Sequence, residues 1–241
     1  MWFVESYGWY EDDQHVFISM EYLAHGDLGG YLDESGPLPE PEVQRIAYQI
    51  LEGLLCMHDH KFVHRDLKPQ NVLIKQCGPH WWVKLGDFGI SKRMEDAASL
   101  HTFAGTRGFM APEVLAQHGF LHCEALAGYD SYTNVVDVWA LGALVFRALT
   151  NSQPFENLAS YVDCKTPFPD HLLHAHNVSQ EGCDLLERLL TAIPEDRVSA
   201  SEALNDSWLA SQREPPLRAS VESQRWEIIH PSYDRTILLI L

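Results

Sequence analysis

Hydrophobic positions recur at three- and four-residue spacing through Val43, Ile46, Ala47, Ile50, Leu51, Leu54 and Leu55, which predicts an amphipathic helix over about residues 41 to 58. Pro37, Pro39 and Pro41 punctuate the loop before it, and Glu40 and Glu42 suit the positive end of its dipole. The stretch 135 to 149 is instead apolar nearly all round and predicts a helix buried on every side, within which Asp137 requires a polar partner. Cys183 to Leu190 and Ala200 to Leu209 predict two further helices. Residues 2 to 10 and 15 to 23, rich in aromatic and β-branched side chains and separated by Glu11-Asp12-Asp13-Gln14, predict a hairpin that leads into a Gly-rich turn at Gly26, Gly29 and Gly30. A shorter hairpin is predicted from Asn71 to Ile74 and Trp82 to Leu85 about Gly78-Pro79. The insertion Gly78-Pro79-His80-Trp81 is read as lengthening its turn and nothing more. From about Ser211 onward, Pro215, Pro216 and scattered polar residues predict a tail.

Composition narrows the class. A chain of 241 residues that is 46% hydrophobic and 21% charged is long enough to bury a sizeable core and has the profile of a soluble globular protein of one or two domains. A formal charge of -17 argues against nucleic acid or an anionic membrane as a partner, because the basic stripe those surfaces need is missing. Five cysteines without C-x-x-C spacing point to reduced thiols and an intracellular location, cytoplasmic or nuclear. No N-terminal apolar run follows basic residues, and Ile237 to Leu241 is too short to cross a bilayer. His118, His122 and Cys123 offer metal-binding side chains but no second cluster at ligand spacing, and the same holds for His171, His174 and His176.

Residues 64 to 71 read His-Arg-Asp-Leu-Lys-Pro-Gln-Asn and put a base, a cation and an amide within eight positions. Phosphoryl transfer asks a protein mainly for positioning and charge stabilisation. Asp66 can accept a hydroxyl proton, Lys68 can meet phosphate charge, and the Asn71 amide oxygen can hold Mg²⁺. The predicted second hairpin sets Asn71 and Asp87 at the same end, and two hard oxygen ligands beside a phosphate chain suit Mg²⁺.

This stretch resembles the catalytic loop of eukaryotic protein kinases, and further marks follow in that family's order. Asp87-Phe88-Gly89 resembles its metal-binding D-F-G, Ala111-Pro112-Glu113 its A-P-E, and Asp137 to Gly142 its D-x-W-x-x-G. The resemblance implies an α+β protein-kinase-like fold, with a mostly helical large C-terminal lobe and only a remnant β-hairpin of the small lobe. It implies a domain over 1-210 (1-22 partial small lobe, 23-210 large lobe) and a tail over 211-241. It makes Met20 the guard of the adenine pocket, the Glu21 carbonyl and Leu23 backbone its hinge bonds, Asp27 a neighbour of the ribose, and Leu73 the floor. Arg65 resembles the arginine that pairs a phosphate on the activation segment, where Ser99 and Thr102 are hydroxyls of interest and Thr102 stands at the usual offset. Thr106 looks like the threonine that bonds the catalytic aspartate and lysine. His64 and Phe88 take structural roles, Asp137 meets the catalytic-loop backbone, and Arg197 pairs with Glu113.

The implied activity is transfer of the ATP γ-phosphate to Ser or Thr hydroxyls of protein substrates, with ATP and Mg²⁺ as cofactors and an upstream activating kinase as a candidate partner. Lys68, two residues after Asp66, is the usual Ser/Thr mark. Ahead of the hinge, residues 1 to 19 contain no G-x-G-x-x-G and no strand lysine to clamp the α- and β-phosphates, so a non-catalytic kinase-like interaction module or inactive fragment stands as the alternative.

Overall fold

The computed structural model describes residues 2–12, 14–88, 91–93, 106–126, 129, 133–213, 226–229 and 237–240. Ser99, Thr102 and Gly89, named from the sequence, lie outside the described residues.

The first hairpin consists of antiparallel strands β1 (Ser6–Glu11) and β2 (Val16–Met20). Asp12 Oδ1 closes its turn by accepting the Gln14 and His15 amides at 2.8 and 2.7 Å. Both strands are shorter than the runs that predicted them, because the chain before Ser6 pairs elsewhere: Leu85 N donates to Trp2 O (2.7 Å) and Val4 N to Leu85 O (2.9 Å), which buries Phe3 completely. Tyr7, Tyr10, Phe17 and Met20 of the hairpin stay exposed, with Tyr10 and Phe17 stacked on each other at 4.7 Å.

After β2 comes a helix where a Gly-rich turn was expected. Only Gly26 turns, at φ 70; α1 (Leu28–Ser35) begins at once, with Asp27 as its N-cap. Gly29 belongs to this helix because a Cβ there would sit 2.7 Å from the Gln70 side chain, so the glycine lets α1 approach the 3₁₀ turn Pro69–Asn71.

The amphipathic helix α2 (Glu40–Asp59) buries the predicted stripe apart from Leu55, which is half-buried at its edge, and extends it to Met57 and His58. Short β3 (Phe62–Val63) then leads to β4 (Val72–Gln76) and β5 (Trp82–Leu85), which pair antiparallel, while β3 pairs with β6 (Lys92–Arg93). The insertion before β5 does more than lengthen a turn. Trp81 is buried, hydrogen-bonds Glu42 of α2 through its indole N–H, and meets Tyr31 of α1 edge-on at 5.0 Å. A side chain at Gly78 would collide with that indole and with Glu42, which is why a glycine stands there.

Six helices complete the large unit: α3 (Pro112–Gln117), α4 (Val135–Thr150), α5 (Leu158–Val162), α6 (Asp170–Ala175), α7 (Gln180–Leu189) and α8 (Ala200–Leu204). α4 is buried on nearly every side, as its pattern requires, and packs against α2 and α7 in the core. The single helix expected over 200 to 209 is two pieces, since Asp206 interrupts α8 and caps the 3₁₀ helix Ser207–Gln212 by accepting Trp208 N at 2.9 Å. In the predicted tail, β7 (Trp226–Ile229) and β8 (Ile237–Ile240) pair with each other, and β8 comes within 8 Å of β1 between Cα atoms. Among the described residues no helix is long and apolar enough to cross a membrane.

Candidate active site

Residues 64 to 68 form the loop between β3 and the Pro69–Asn71 turn, and the buried end of α4 shapes it. The Asp137 carboxylate accepts two successive backbone amides, His64 N at 2.8 Å and Arg65 N at 2.9 Å, together with His58 Nε2–H at 2.9 Å. Those bonds hold Arg65 in the left-handed region, at φ 73, a conformation that a non-glycine residue keeps only when its surroundings enforce it. Burial pushes the Asp137 carboxyl up, but the His58 hydrogen bond, the nearby imidazoles and the Arg65 amide outweigh it and keep the group ionised, below the usual carboxylate range.

The loop so held presents Asp66. Lys68 Nζ donates to Asp66 Oδ2 at 2.6 Å and to Thr106 Oγ1 at 2.9 Å, while the Thr106 hydroxyl donates to Asp66 Oδ1 at 3.0 Å. From behind, Asn71 Nδ2 donates to the Asp66 carbonyl at 2.7 Å and to Oδ2 at 3.2 Å. An ionised carboxylate has about four acceptor positions. Three donors engage the Asp66 carboxylate here, two on Oδ2 and one on Oδ1, so Oδ1 retains room for one more hydroxyl. Asp66 and Thr106 also line a small cleft with Phe109, Met110, Val114 and Ala140.

Asn71 and Asp87 flank the β4–β5 pair whose register sets Val72 opposite Leu85, and Gly86 N donates to Asn71 O at 2.9 Å. Asp87 is exposed and left-handed, at φ 55. Because Nδ2 of Asn71 is committed to Asp66, its Oδ1 is the free end of the amide, and an amide oxygen with a carboxylate is the hard donor set that Mg²⁺ accepts while keeping most of its waters. Phe88 packs between Phe3 (5.6 Å) and His64 (5.5 Å). Burial lowers the His64 pKa against the pull of Asp137, and the fully buried ring places Nε2 3.2 Å from Gly86 O.

Of the residues read as nucleotide contacts, Leu73 and Asp27 are brought together in an antiparallel bridge, and Leu23 is buried in the chain's turn into α1, its carbonyl accepting Gly26 N at 3.2 Å. Asp27 spends Oδ1 on capping Gly30 N at 2.9 Å. Met20 remains half exposed at the end of β2. Glu113 and Arg197 meet in a buried bidentate pair, Arg65 is buried and lines the cleft beside Asp66 and Asp137, and Thr102 lies outside the described residues.

Sequence reasoning missed His58 and the side chain of Glu21. His58 continues the α2 stripe four residues after Leu54, so the period that found the helix also reached it. Glu21 was read for its backbone alone; its carboxylate takes Lys75 at 2.6 Å and the buried Lys84. Lys84 lies between Val83 and Leu85 in a strand, where alternation turns it to the opposite face.

Comparison with known proteins places the chain among kinase domains. Residues 2–209 match the protein kinase domain family. Serine/threonine-protein kinase cds1 of Schizosaccharomyces pombe is 36% identical over 225 residues, 89% of this chain and 47% of the relative. Serine/threonine-protein kinase RAD53 of Saccharomyces cerevisiae is 32% identical over 208 residues, 84% of this chain and 25% of the relative. The chain thus spans about half the length of the first of these curated relatives and a quarter of the second. Among solved structures, Rad53 kinase domain and SCD2 superposes with a TM-score of 0.69 at 29% identity, covering 90% of this chain and 74% of that one. Rad53 1-466 in complex with AMP-PNP gives 0.68 at 31% identity, covering 86% and 50%. With the fold, the match over residues 2–209 and these Ser/Thr kinase relatives in agreement, the chain belongs to the protein kinase domain family.

Proposed function

We propose that this site transfers the γ-phosphate of ATP to Ser or Thr hydroxyls of protein substrates. The observation that carries the reading is the Asp66 carboxylate, fixed by Lys68, Thr106 and Asn71 with one acceptor position left on Oδ1. A substrate hydroxyl donating there is oriented for attack. Its O–H bond breaks as the new O–P bond forms and the bond from the γ-phosphorus to the bridging oxygen breaks, the proton passing to Asp66 and ADP leaving. Lys68 meets the charge on the transferring group. Asn71 Oδ1 and Asp87 would hold Mg²⁺, which when bound neutralises phosphate charge. Leu23, Leu73 and the Glu21 carbonyl would receive the adenine, with Asp27 near the ribose and Met20 at the pocket's back. Phosphate on Thr102 would pair with Arg65 and order the segment, which makes an upstream kinase a partner. Reduced cysteines favour an intracellular location.

A kinase-like module without turnover is the second reading, since residues 1–19 carry no G-x-G-x-x-G and no lysine to clamp the α- and β-phosphates. Both readings are tested by purifying residues 1–241, assaying Mg·ATP binding and phosphorylation of a generic Ser/Thr protein, and repeating the assay with Asp66→Ala. The kinase reading expects slow transfer that Asp66→Ala abolishes. Transfer unchanged in the variant, or none in a longer chain that carries the missing groups, overturns it.

A further inference from the structure

Glu21 follows directly after β2, on a hairpin whose own faces are largely exposed, yet its side chain is among the buried charged groups of the molecule. Its two carboxylate oxygens reach three separate segments. Oε1 accepts Lys75 Nζ of β4 at 2.6 Å; Oε2 accepts Lys84 Nζ of β5 and lies 3.4 Å from the Glu5 amide. The Glu21 amide in turn donates to Glu5 O at 2.8 Å. Leu73 is paired with Lys84 on one face of the β4–β5 hairpin, and Lys75, at the register shift between Ile74 and Gln76, reaches the same Glu21 carboxylate as Lys84. That hairpin begins directly after Asn71 and ends two residues before Asp87. A second tie follows immediately along the chain, where Ile74 N donates to Gly26 O at 2.9 Å.

We propose that the Glu21 carboxylate is a positioning group for the nucleotide: it holds the hinge, residues 20 to 23, and with it the turn at Gly26, onto the face of the hairpin that offers Leu73 and whose ends carry Asn71 and Asp87. The inference rests on the nucleotide-binding reading above and assigns to the side chain a role that reading gives only to the backbone. Lys84, buried, cannot be left without a counter-charge, and Glu21 is its ion-pair partner among the described residues. Lys75, more exposed, adds the second arm. Burial pushes the Glu21 carboxyl up, but the hydrogen bonds from Lys75 and Lys84 and the charge of Lys84 prevail and hold it at about 2, so the clamp stays ionised at neutral pH.

The test measures Mg·ADP affinity by calorimetry and amide hydrogen exchange of the Glu21, Gly26 and Ile74 regions in the 241-residue chain. Glu21→Gln is expected to weaken Mg·ADP about tenfold and to speed exchange at all three, since small misplacements of positioning groups carry penalties of that order or larger. Because Glu21→Gln strands the Lys84 ammonium, Glu21→Gln/Lys84→Met is measured beside it; both charges are then gone and no cation is left buried alone. A pair that serves stability only would let the double variant recover parental affinity and exchange, and that recovery overturns the proposal. Persistent weakening with faster exchange supports it. If the parent chain binds no Mg·ADP, the nucleotide reading fails separately, and exchange in the double variant alone decides whether the hinge is clamped: faster upholds the clamp, unchanged removes it.

Discussion

Arg197 and Glu113, 84 residues apart in sequence, meet through parallel hydrogen bonds of 2.7 and 2.9 Å, with both side chains all but closed to solvent. The rest of the guanidinium is used as well. Nε donates to Thr191 O at 2.9 Å, Nη1 to Val135 O at 3.1 Å and Nη2 to Ala192 O at 3.2 Å, and the group lies 5.1 Å from the Trp139 ring centre. One side chain thereby fixes α3, the start of α4 and the turn after α7 to each other. Arg197→Met or Glu113→Leu alone leaves a buried charge without its partner and is expected to destabilise by about 3–5 kcal/mol in urea unfolding. Arg197→Lys should recover only part of this, because an ammonium cannot bond the carboxylate bidentately. A single-variant loss below about 1 kcal/mol, the range of surface pairs, would contradict the assignment.

The buried imidazole of His64 makes stability depend on pH. Its pKa in the folded chain is lowered by burial from an ordinary value of about 6.5. Unfolding therefore takes up a proton wherever pH lies between the two values. The stabilising contribution is complete above about pH 6.5 and is lost as pH falls toward the folded value, with a slope of at most about 1.4 kcal/mol per pH unit. Asp137, whose folded pKa is depressed, adds a second loss only below about pH 4. Urea midpoints at pH 7.5, 6.5 and 5.5 check this, with His64→Phe as the reference: the variant should be flatter across that interval, and equal slopes would show that His64 does not titrate with folding.

Thr106 sits between the two charges of the site, taking a proton from Lys68 and giving one to Asp66. Without its hydroxyl, Oδ1 of Asp66 loses its fixed donor and the carboxylate can turn about its Cβ–Cγ bond. In a catalytically complete form of the domain, Thr106→Ala should lower kcat about tenfold or more while leaving the KM for ATP near parental, the pattern of an interaction that positions a reacting group. Thr106→Ser, which keeps the hydroxyl, should restore most of the rate. A KM effect without a kcat effect would move Thr106 out of the reacting centre and into substrate binding.

What the sequence made legible was what its own neighbours determine. α2 and α4 are long, so a period of 3.6 is sampled many times, and residues 64 to 71 hold their donors and acceptors within one loop. Five- and six-residue helices such as α5 and α6 offer a period too few repeats, and α1 was hidden by Gly29 and Gly30, of which Gly29 serves a close approach to Gln70. Ala200 to Leu209 has helical spacing throughout, but Asp206 captures a backbone amide and ends α8. Trp81 and Glu21 take their meaning from Glu42, Tyr31 and Lys84, partners that are distant in the chain and chosen by the packing alone. The pairing of Arg197 with Glu113 was reachable only through family resemblance, since neither residue stands out in its local pattern.

Asn71 joins the two halves of the site, and its two amide ends can be separated by substitution. Nδ2 braces Asp66 through its carbonyl at 2.7 Å and its carboxylate at 3.2 Å, and on the proposed reading Oδ1 would be the end that meets Mg²⁺. Asn71→Ala removes both functions and should cost at least about a hundredfold in rate, the scale of positioned acid-base and electrostatic groups. Asn71→Asp keeps an oxygen ligand and adds charge toward the metal, but it deletes the brace and places a second carboxylate against Asp66, where two like charges repel. It is therefore expected to bind Mn²⁺, used as a paramagnetic probe in place of Mg²⁺, at least as tightly as the parent chain, and still to lose rate comparably with Asn71→Ala. Water-proton relaxation measures the first quantity and single-turnover phosphorylation by a complete form of the domain the second. Loss of Mn²⁺ binding in Asn71→Asp would detach Asn71 from the metal, and rate retained within about threefold would show that the brace on Asp66 does not matter to transfer.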